Sequence, residues 1–164
     1  MVKFMLMITA ELENLTDLQP QGGCNADCFR YNFKLKCGKC GEITQKETYV
    51  SLGETVPPPL GKDHTHLVQK LLFIIIIVAV IRLDRIKSFV TAFSCRGFEP
   101  LDFVFRGKWK AESLKVTRFE GIDLSGDEFA EYDEKGECPV MISNPRATFI
   151  VVIASYAHLS FADV

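Results

Sequence analysis

The first segment of the chain alternates between apolar and polar side chains, and this alternation constrains the fold more than any other feature. One face would carry Val2, Phe4, Leu6, Ile8, Ala10 and Leu12. The opposite face would carry Lys3, Thr9, Glu11 and Glu13. Because successive side chains of a β-strand point to opposite faces of the sheet, this period of two predicts a strand with one buried face.

The same alternation recurs further along the chain. Tyr31, Phe33 and Leu35 alternate with basic and amide residues and predict a second strand that runs into Cys37. Other predicted strands cover residues 43–52, 89–95, 101–105, 109–114 and 141–153. Residues 53–65 contain three consecutive prolines, which cannot join a sheet interior, and are predicted to form a loop. These patterns predict an all-β fold.

Composition excludes several classes of protein. The net charge of −2 provides no basic field for a nucleic acid. Six cysteines in 164 residues are too few for a disulfide scaffold, and the amino-terminal segment lacks a signal-peptide cleavage pattern, so we expect a cytoplasmic protein with reduced thiols. The sequence contains no Ser-His-Asp set, phosphate-binding loop or paired catalytic carboxylates. We therefore expect no enzymatic activity.

The motif Cys37-Gly-Lys-Cys40-Gly lies between two predicted strands. Two thiolates three residues apart can bind one edge of a tetrahedral zinc ion, and the glycines suit the tight turn between the cysteines. A thioredoxin-type redox pair would instead lie at the start of a helix, which lowers the thiol pKa. The β-branched residues after the motif favour zinc, while redox chemistry and two inert thiols remain alternatives.

Four segments of the chain resemble the eukaryotic CXXC-motif-containing zinc-binding proteins, particularly those of plants. These segments are residues 34–42, 66–70, 95–103 and 128–140. The resemblance implies an all-β, barrel- or sandwich-like architecture of two similar halves. It also implies one zinc ion bound through two Cys-x-x-Cys pairs.

The chain departs from this family where the second Cys-x-x-Cys pair is expected, directly after Lys70. The apolar segment 71–81 stands there instead. Only Cys37 and Cys40 can therefore inherit ligand roles, and the predicted zinc site is incomplete. His64 and His66, or Cys24 and Cys28, could complete it, although each pair is also typical of an exposed loop. Cys95 and Cys138 are predicted to be small buried residues.

Two further segments allow more than one interpretation. Residues 71–81 are too few to span a membrane as a helix, and their isoleucines favour a buried core strand over a helix or a membrane contact. Residues 123–134 place acidic side chains at calcium-binding spacings, but Glu128 occupies the position where an EF-hand loop requires glycine. An exposed acidic loop is the favoured interpretation.

The sequence thus predicts one mainly-β domain over residues 1–153, followed by a tail over 154–164. Its amino-terminal half would span residues 1–66 and its carboxy-terminal half 86–153, with the apolar segment 71–81 between them. The expected function is structural zinc binding through Cys37 and Cys40 with a protein-interaction role. A monomer with an unidentified protein partner is expected, without nucleic-acid or membrane binding. The alternative is a thiol-redox or metal-transfer protein that uses the same two cysteines.

Overall fold

A computed structural model describes residues 2–23, 26–57, 70–71, 74–75, 78–82 and 90–152, with only the backbone described for residues 70–92. Within these ranges every regular element is a β-strand. The strands are β1 (Val2–Glu13), β2 (Leu15–Pro20), β3 (Tyr31–Cys37), β4 (Thr48–Val50), β5 (Lys70–Leu71), β6 (Ile74–Ile75), β7 (Val78–Arg82), β8 (Val90–Cys95), β9 (Phe98–Val104), β10 (Trp109–Ser113), β11 (Arg118–Ile122), β12 (Glu128–Asp133) and β13 (Cys138–Val152). The prediction of an all-β fold is confirmed.

The strands pair antiparallel in four sheets. The largest has the order β12-β13-β1-β8-β7, and two three-stranded sheets have the orders β11-β10-β2 and β4-β3-β9. Strands β5 and β6 form a separate pair. No helix in the described ranges is long and apolar enough to cross a membrane.

Strand β1 confirms the first predicted strand at the centre of the largest sheet. Phe4, Leu6 and Ile8 are buried, as the alternation predicts. Val2 and Leu12 are 47% and 38% exposed, so their assignment to the buried face was wrong. Both residues lie near the ends of a twelve-residue strand, beyond the part that the core covers.

Aromatic rings join the largest sheet to the sheet β4-β3-β9. Phe93 of β8 contacts Tyr31 and Phe33 of β3 edge to face, at centroid distances of 5.8 and 5.4 Å. Phe149 of β13 lies 5.7 Å from the ring of Phe33. Edge-to-face contacts of this kind add to the stabilisation from buried area. The two sheets therefore pack like the layers of a sandwich.

Several strand predictions were incomplete. Residues 43–52 form one isolated bridge at Ile43 and the short strand β4, because the chain bends at residues 45–46 between them. Strands β2, β11 and β12 were not predicted. Of residues 71–81, the described backbone lies in three short strands rather than one. The prediction that their side chains are buried lies outside the described residues, as does the tail 154–164.

Candidate metal centre

The Cys37–Cys40 turn connects strand β3 to the bridge at Ile43. Cys37 is the last residue of β3, and its backbone N–H donates to the carbonyl oxygen of Glu42 at 2.7 Å. The N–H of Gly41 donates back to the carbonyl oxygen of Cys37 at 2.9 Å. Lys36 then pairs with Ile43 across the turn. The segments on either side of the motif are therefore antiparallel, through the bridge at Ile43 and then through β4.

Thr44 fixes the segment that leaves the turn. Its N–H donates to the carbonyl oxygen of Leu35 at 2.9 Å, and its buried hydroxyl accepts the N–H of Leu35 at 3.0 Å. A threonine within a predicted strand has no distinctive pattern, so the sequence does not reveal the role of Thr44. Its two hydrogen bonds make it a positioning residue for the turn.

Of the two glycines of the motif, Gly41 has a backbone conformation that favours glycine, and Gly38 makes a backbone contact to another turn. Gly41 has a φ of +74°, which side-chain-bearing residues rarely adopt. Gly38 donates its N–H to the carbonyl oxygen of Gly97 at 3.0 Å, and a Cβ on Gly38 would lie 3.4 Å from that oxygen. Gly97 belongs to the β8–β9 turn. A part of the chain that is distant in sequence therefore contacts the Cys37–Cys40 turn, which is called the knuckle below.

The two sulfur atoms differ in exposure and lie close together. The Cys37 side chain is buried, whereas Cys40 is exposed. The pKa of the Cys37 thiol is lowered, first by the backbone N–H of Cys40, then by that of Lys39, and further by a hydrogen bond with the Cys40 thiol. Burial and the charge of Glu42 oppose this shift. The turn thus points amide hydrogens at Cys37 and favours its thiolate, the form that binds metal.

The backbone after Cys40 distinguishes between the zinc and redox interpretations. Residues 41–42 are irregular, Ile43 is bridged to Lys36, and β4 follows at Thr48. No helix begins at Cys40, so the lowered pKa of Cys37 comes from local amides and not from a helix dipole. This arrangement is the one expected for a zinc knuckle and differs from the helix start of a thioredoxin-type pair.

The other described cysteines differ in their exposure. No group of three or more His, Cys, Asp or Glu side chains in the described residues could hold a metal ion. Cys28 is exposed, as expected for a loop thiol, while Cys95 is buried, and burial raises its pKa to about 12. Cys138 is only half-buried, so the prediction of full burial was wrong. Cys24, His64 and His66 lie outside the described residues.

The second Cys-x-x-Cys pair of the family would fall at positions 71 and 74, and the structure describes the backbone of both. Leu71 and Ile74 are register partners in the β5–β6 pair. Two positions paired across so short a connection match the spacing of a second knuckle, but leucine and isoleucine carry no ligand atom. Cys37 and Cys40 therefore fit one edge of a zinc tetrahedron, and the residues at 71 and 74 do not fit the other.

The acidic stretch 123–134 is only partly a loop. Asp123 Oδ1 accepts the N–H of Ser125 at 2.9 Å in a local turn. Residues 128–133 form β12, so their assignment to a loop was wrong. Most of their side chains are exposed, as expected, but Asp133 is buried. Their pairing with β13, with Phe129 opposite Ile142, converts this stretch into sheet.

Comparisons with known proteins agree with these features. The profile of the family described as CXXC motif containing zinc binding protein, eukaryotic, matches residues 5–150. A Xenopus laevis protein of that name is 37% identical over 149 residues, covering 84% of this chain and 91% of its own length. A Homo sapiens protein of that name is 34% identical over 163 residues, covering 92% and 99%.

Solved structures show the same fold. The crystal structure of C1orf123 superposes with a TM-score of 0.79 at 32% identity, covering 92% of this chain and 99% of that one. A hypothetical protein from Plasmodium falciparum has a TM-score of 0.77 at 18% identity, over 92% and 100% of the two chains. From its matched profile, its relatives and its Cys37–Cys40 knuckle, the chain belongs to the eukaryotic family of CXXC motif containing zinc binding proteins.

Proposed function

We propose that this chain binds zinc through Cys37 and Cys40 and that the metal has a structural role in a non-enzymatic protein-interaction module. The names of its relatives describe zinc binding, which is the chemistry that the knuckle suits. We further propose that the protein acts in the cytoplasm as a monomer that binds another protein. A zinc ion bound by both thiolates would link Cys40 of the turn to Cys37 at the end of β3.

The observation that carries the proposal is the geometry of the turn that holds Cys37 and Cys40. The N–H of Cys37 donates to the carbonyl oxygen of Glu42 and the N–H of Gly41 donates to that of Cys37, which closes the turn, and the backbone amides of Cys40 and Lys39 lower the pKa of the Cys37 thiol. Zinc binds the thiolate, so the Cys37 thiol must lose its proton when the metal binds. A lowered thiol pKa reduces the free-energy cost of that deprotonation. The turn is therefore organised as one half of a zinc site.

Because the second pair is absent, we expect zinc to be weakly held and easily removed by chelators. Complete zinc-finger sites have apparent binding free energies of roughly 10–16 kcal/mol. A variant carrying Leu71→Cys and Ile74→Cys restores a second Cys-x-x-Cys and should bind zinc orders of magnitude more tightly. Competition titration of both proteins against a zinc chelator measures this difference.

Matched cysteine variants test the assignment of the ligands. Cys37→Ser and Cys40→Ser should each abolish the zinc that remains in elemental analysis of the purified protein, whereas Cys28→Ser should leave it unchanged.

Equal zinc affinity of the native chain and the Leu71→Cys/Ile74→Cys variant would contradict the proposal. It would mean that residues other than 71 and 74 already complete the site.

A second candidate is thiol-redox or metal-transfer activity at the same two cysteines. The lowered pKa of Cys37 and the exposure of Cys40 favour it, since a reactive pair needs a thiolate and access. Equilibration of the zinc-free protein with glutathione buffers tests this alternative. A reversible Cys37–Cys40 disulfide at cytosolic potentials would favour it over a structural metal site.

A further inference from the structure

A cleft beside the knuckle carries more positive than negative side chains, although the protein as a whole has a net charge of −2. It lies over the outward face of β3 and has a volume of about 470 Å³. Its lining is formed by Asn32, Lys34, Gln45, Lys46, Glu47 and Arg106. Three cations, two amides and one carboxylate thus meet in one concave surface.

The single carboxylate of the lining is already engaged. Arg106 Nε lies 2.9 Å from Glu47 Oε2, and its terminal nitrogen donates to Glu47 Oε1 at 3.5 Å. This pair joins the segment after β9 to the segment before β4. Glu47 therefore occupies the position that a carboxylate from another molecule would take on Arg106.

Nearby acidic side chains of the described residues compensate the charges of Lys34 and Lys46 weakly or not at all. Lys34 Nζ lies 3.9 Å from Asp102 Oδ2, which is a weak pair on a half-exposed surface. In the described part of the chain, Lys46 makes no ion pair and is exposed. Gln45 and Asn32 add amide groups beside them, and the Asn32 Nδ2 donates to the carbonyl oxygen of Arg30 at 3.0 Å. The cleft therefore has two lysine charges to offer to an anion.

The chain segment that lines one side of the cleft comes shortly after the knuckle in sequence. Gln45, Lys46 and Glu47 directly follow Thr44, which is hydrogen-bonded to Leu35 of β3. The hydrogen bonds of Thr44 to β3 therefore help to position residues 45–47, which line one side of the cleft. Sites for small molecules are usually enclosed and largely apolar, whereas this cleft is open and polar, so it suits part of a larger partner.

We propose that this cleft binds a carboxylate-rich segment of a partner protein, with Lys34, Lys46 and Arg106 as the recognition residues. The proposal rests on the protein-interaction role proposed above and names the chemical class of the partner. It also assigns Glu47 as an internal competitor, because the incoming carboxylate must displace it from Arg106. Removing the Glu47 charge should therefore strengthen binding, which is the opposite of the effect of removing a cation.

Binding of a fluorescein-labelled oligoglutamate peptide to the full chain, measured by fluorescence anisotropy, tests this site. Lys46→Glu should weaken binding by about three- to tenfold, the size expected for reversing one surface charge. Glu47→Gln should tighten binding by a few-fold. Lys115→Glu changes the net charge equally at an exposed site outside the cleft and should have no effect. An oligoglutamine peptide should not bind.

Two results would overturn the assignment: no binding of the oligoglutamate to the native chain, or equal weakening by Lys46→Glu and Lys115→Glu. Zinc content is measured on the same samples. The Lys46→Glu variant should keep its zinc. If this variant lost both its zinc and its peptide binding, the result would also count against a direct role for Lys46. Cysteine variants that keep their zinc would contradict the metal proposal while leaving the cleft result intact.

Discussion

Asp133 shows how one buried side chain links two turns of this protein. Its side chain is 1% exposed. Its Oδ1 accepts the hydroxyl of Thr117 at 2.7 Å and the N–H of Lys135 at 3.1 Å. The Ser113 hydroxyl lowers its pKa most, and Thr117 and the N–H groups of Gly136 and Lys135 lower it further, while burial opposes them. The carboxylate thus ties the β10–β11 turn to the β12–β13 turn.

Asp133→Asn should lower the melting temperature at neutral pH, because it replaces an anion that accepts several hydrogen bonds. A carboxyl whose pKa is lower in the folded protein stabilises the fold above its unfolded pKa of about 3.9. That stabilisation is lost as the pH falls through the folded pKa. Thermal denaturation from pH 7 downward should therefore show the melting temperatures of the native protein and the Asp133→Asn variant converging below about pH 4. Glu131→Gln, on the same strand but exposed, is the control, and a constant difference across this range would contradict the prediction.

At the scale of the elements, the turn of the β12–β13 hairpin is closely packed. Asp133 and Cys138 are register partners, and Gly136 lies between them in sequence. A Cβ on Gly136 would lie 2.7 Å from Asp133 Oδ2 and 3.2 Å from Cys138 Sγ. The hairpin therefore needs glycine for space, while Gly41 of the knuckle needs it for a positive φ with nothing within 4 Å.

Gly136→Ala should destabilise the protein by about 1–3 kcal/mol, the usual cost of overpacking a close contact. Gly126→Ala, in the turn that leads into β12, is the matched control, because a Cβ there meets nothing within 4 Å. Its effect should lie within about 0.5 kcal/mol of zero. Urea denaturation of both variants measures the difference, and equal midpoints would show that the β12–β13 turn relaxes around the added methyl group.

At the scale of the whole molecule, the aromatic contacts between sheets connect the core to the knuckle. Phe93 is fully buried and packs on Tyr31 and Phe33, and the strand that carries those two rings ends at Cys37. The same strand pairs with β9 through Cys37 and Phe98. The position of the knuckle therefore depends on packing that lies far from it in sequence.

Phe93→Ala should reduce the free energy of unfolding by about 3–5 kcal/mol, since it leaves a cavity where three rings met. Tyr132→Ala removes a ring that is 56% exposed and should have a much smaller effect. Chemical denaturation followed by intrinsic fluorescence of Trp109 compares the two. A loss for Phe93→Ala no larger than that for Tyr132→Ala would contradict the role of these rings in joining the sheets.

The sequence alone determined the class of fold, most of strands β1, β3, β8, β9, β10 and β13, and the turn that carries Cys37 and Cys40. These features are local, because alternation fixes which face of a strand is buried and Cys-x-x-Cys with glycine fixes a turn. Strands β2, β11 and β12 have no such alternation and were missed. They become strands because neighbours pair with them, as β13 does with β12.

Only the tertiary structure decided which strands are neighbours and which charges meet. Arg106 and Glu47 lie 59 positions apart and pair at the cleft. The carbonyl oxygen of Gly97 accepts the N–H of Gly38 from another turn. Alternation states that a face is buried but not against which strand, because many registers bury the same apolar side chains. Packing of complete sheets, with the rings of Phe93 and Phe149 between them, selects one arrangement and thereby positions the knuckle and the cleft.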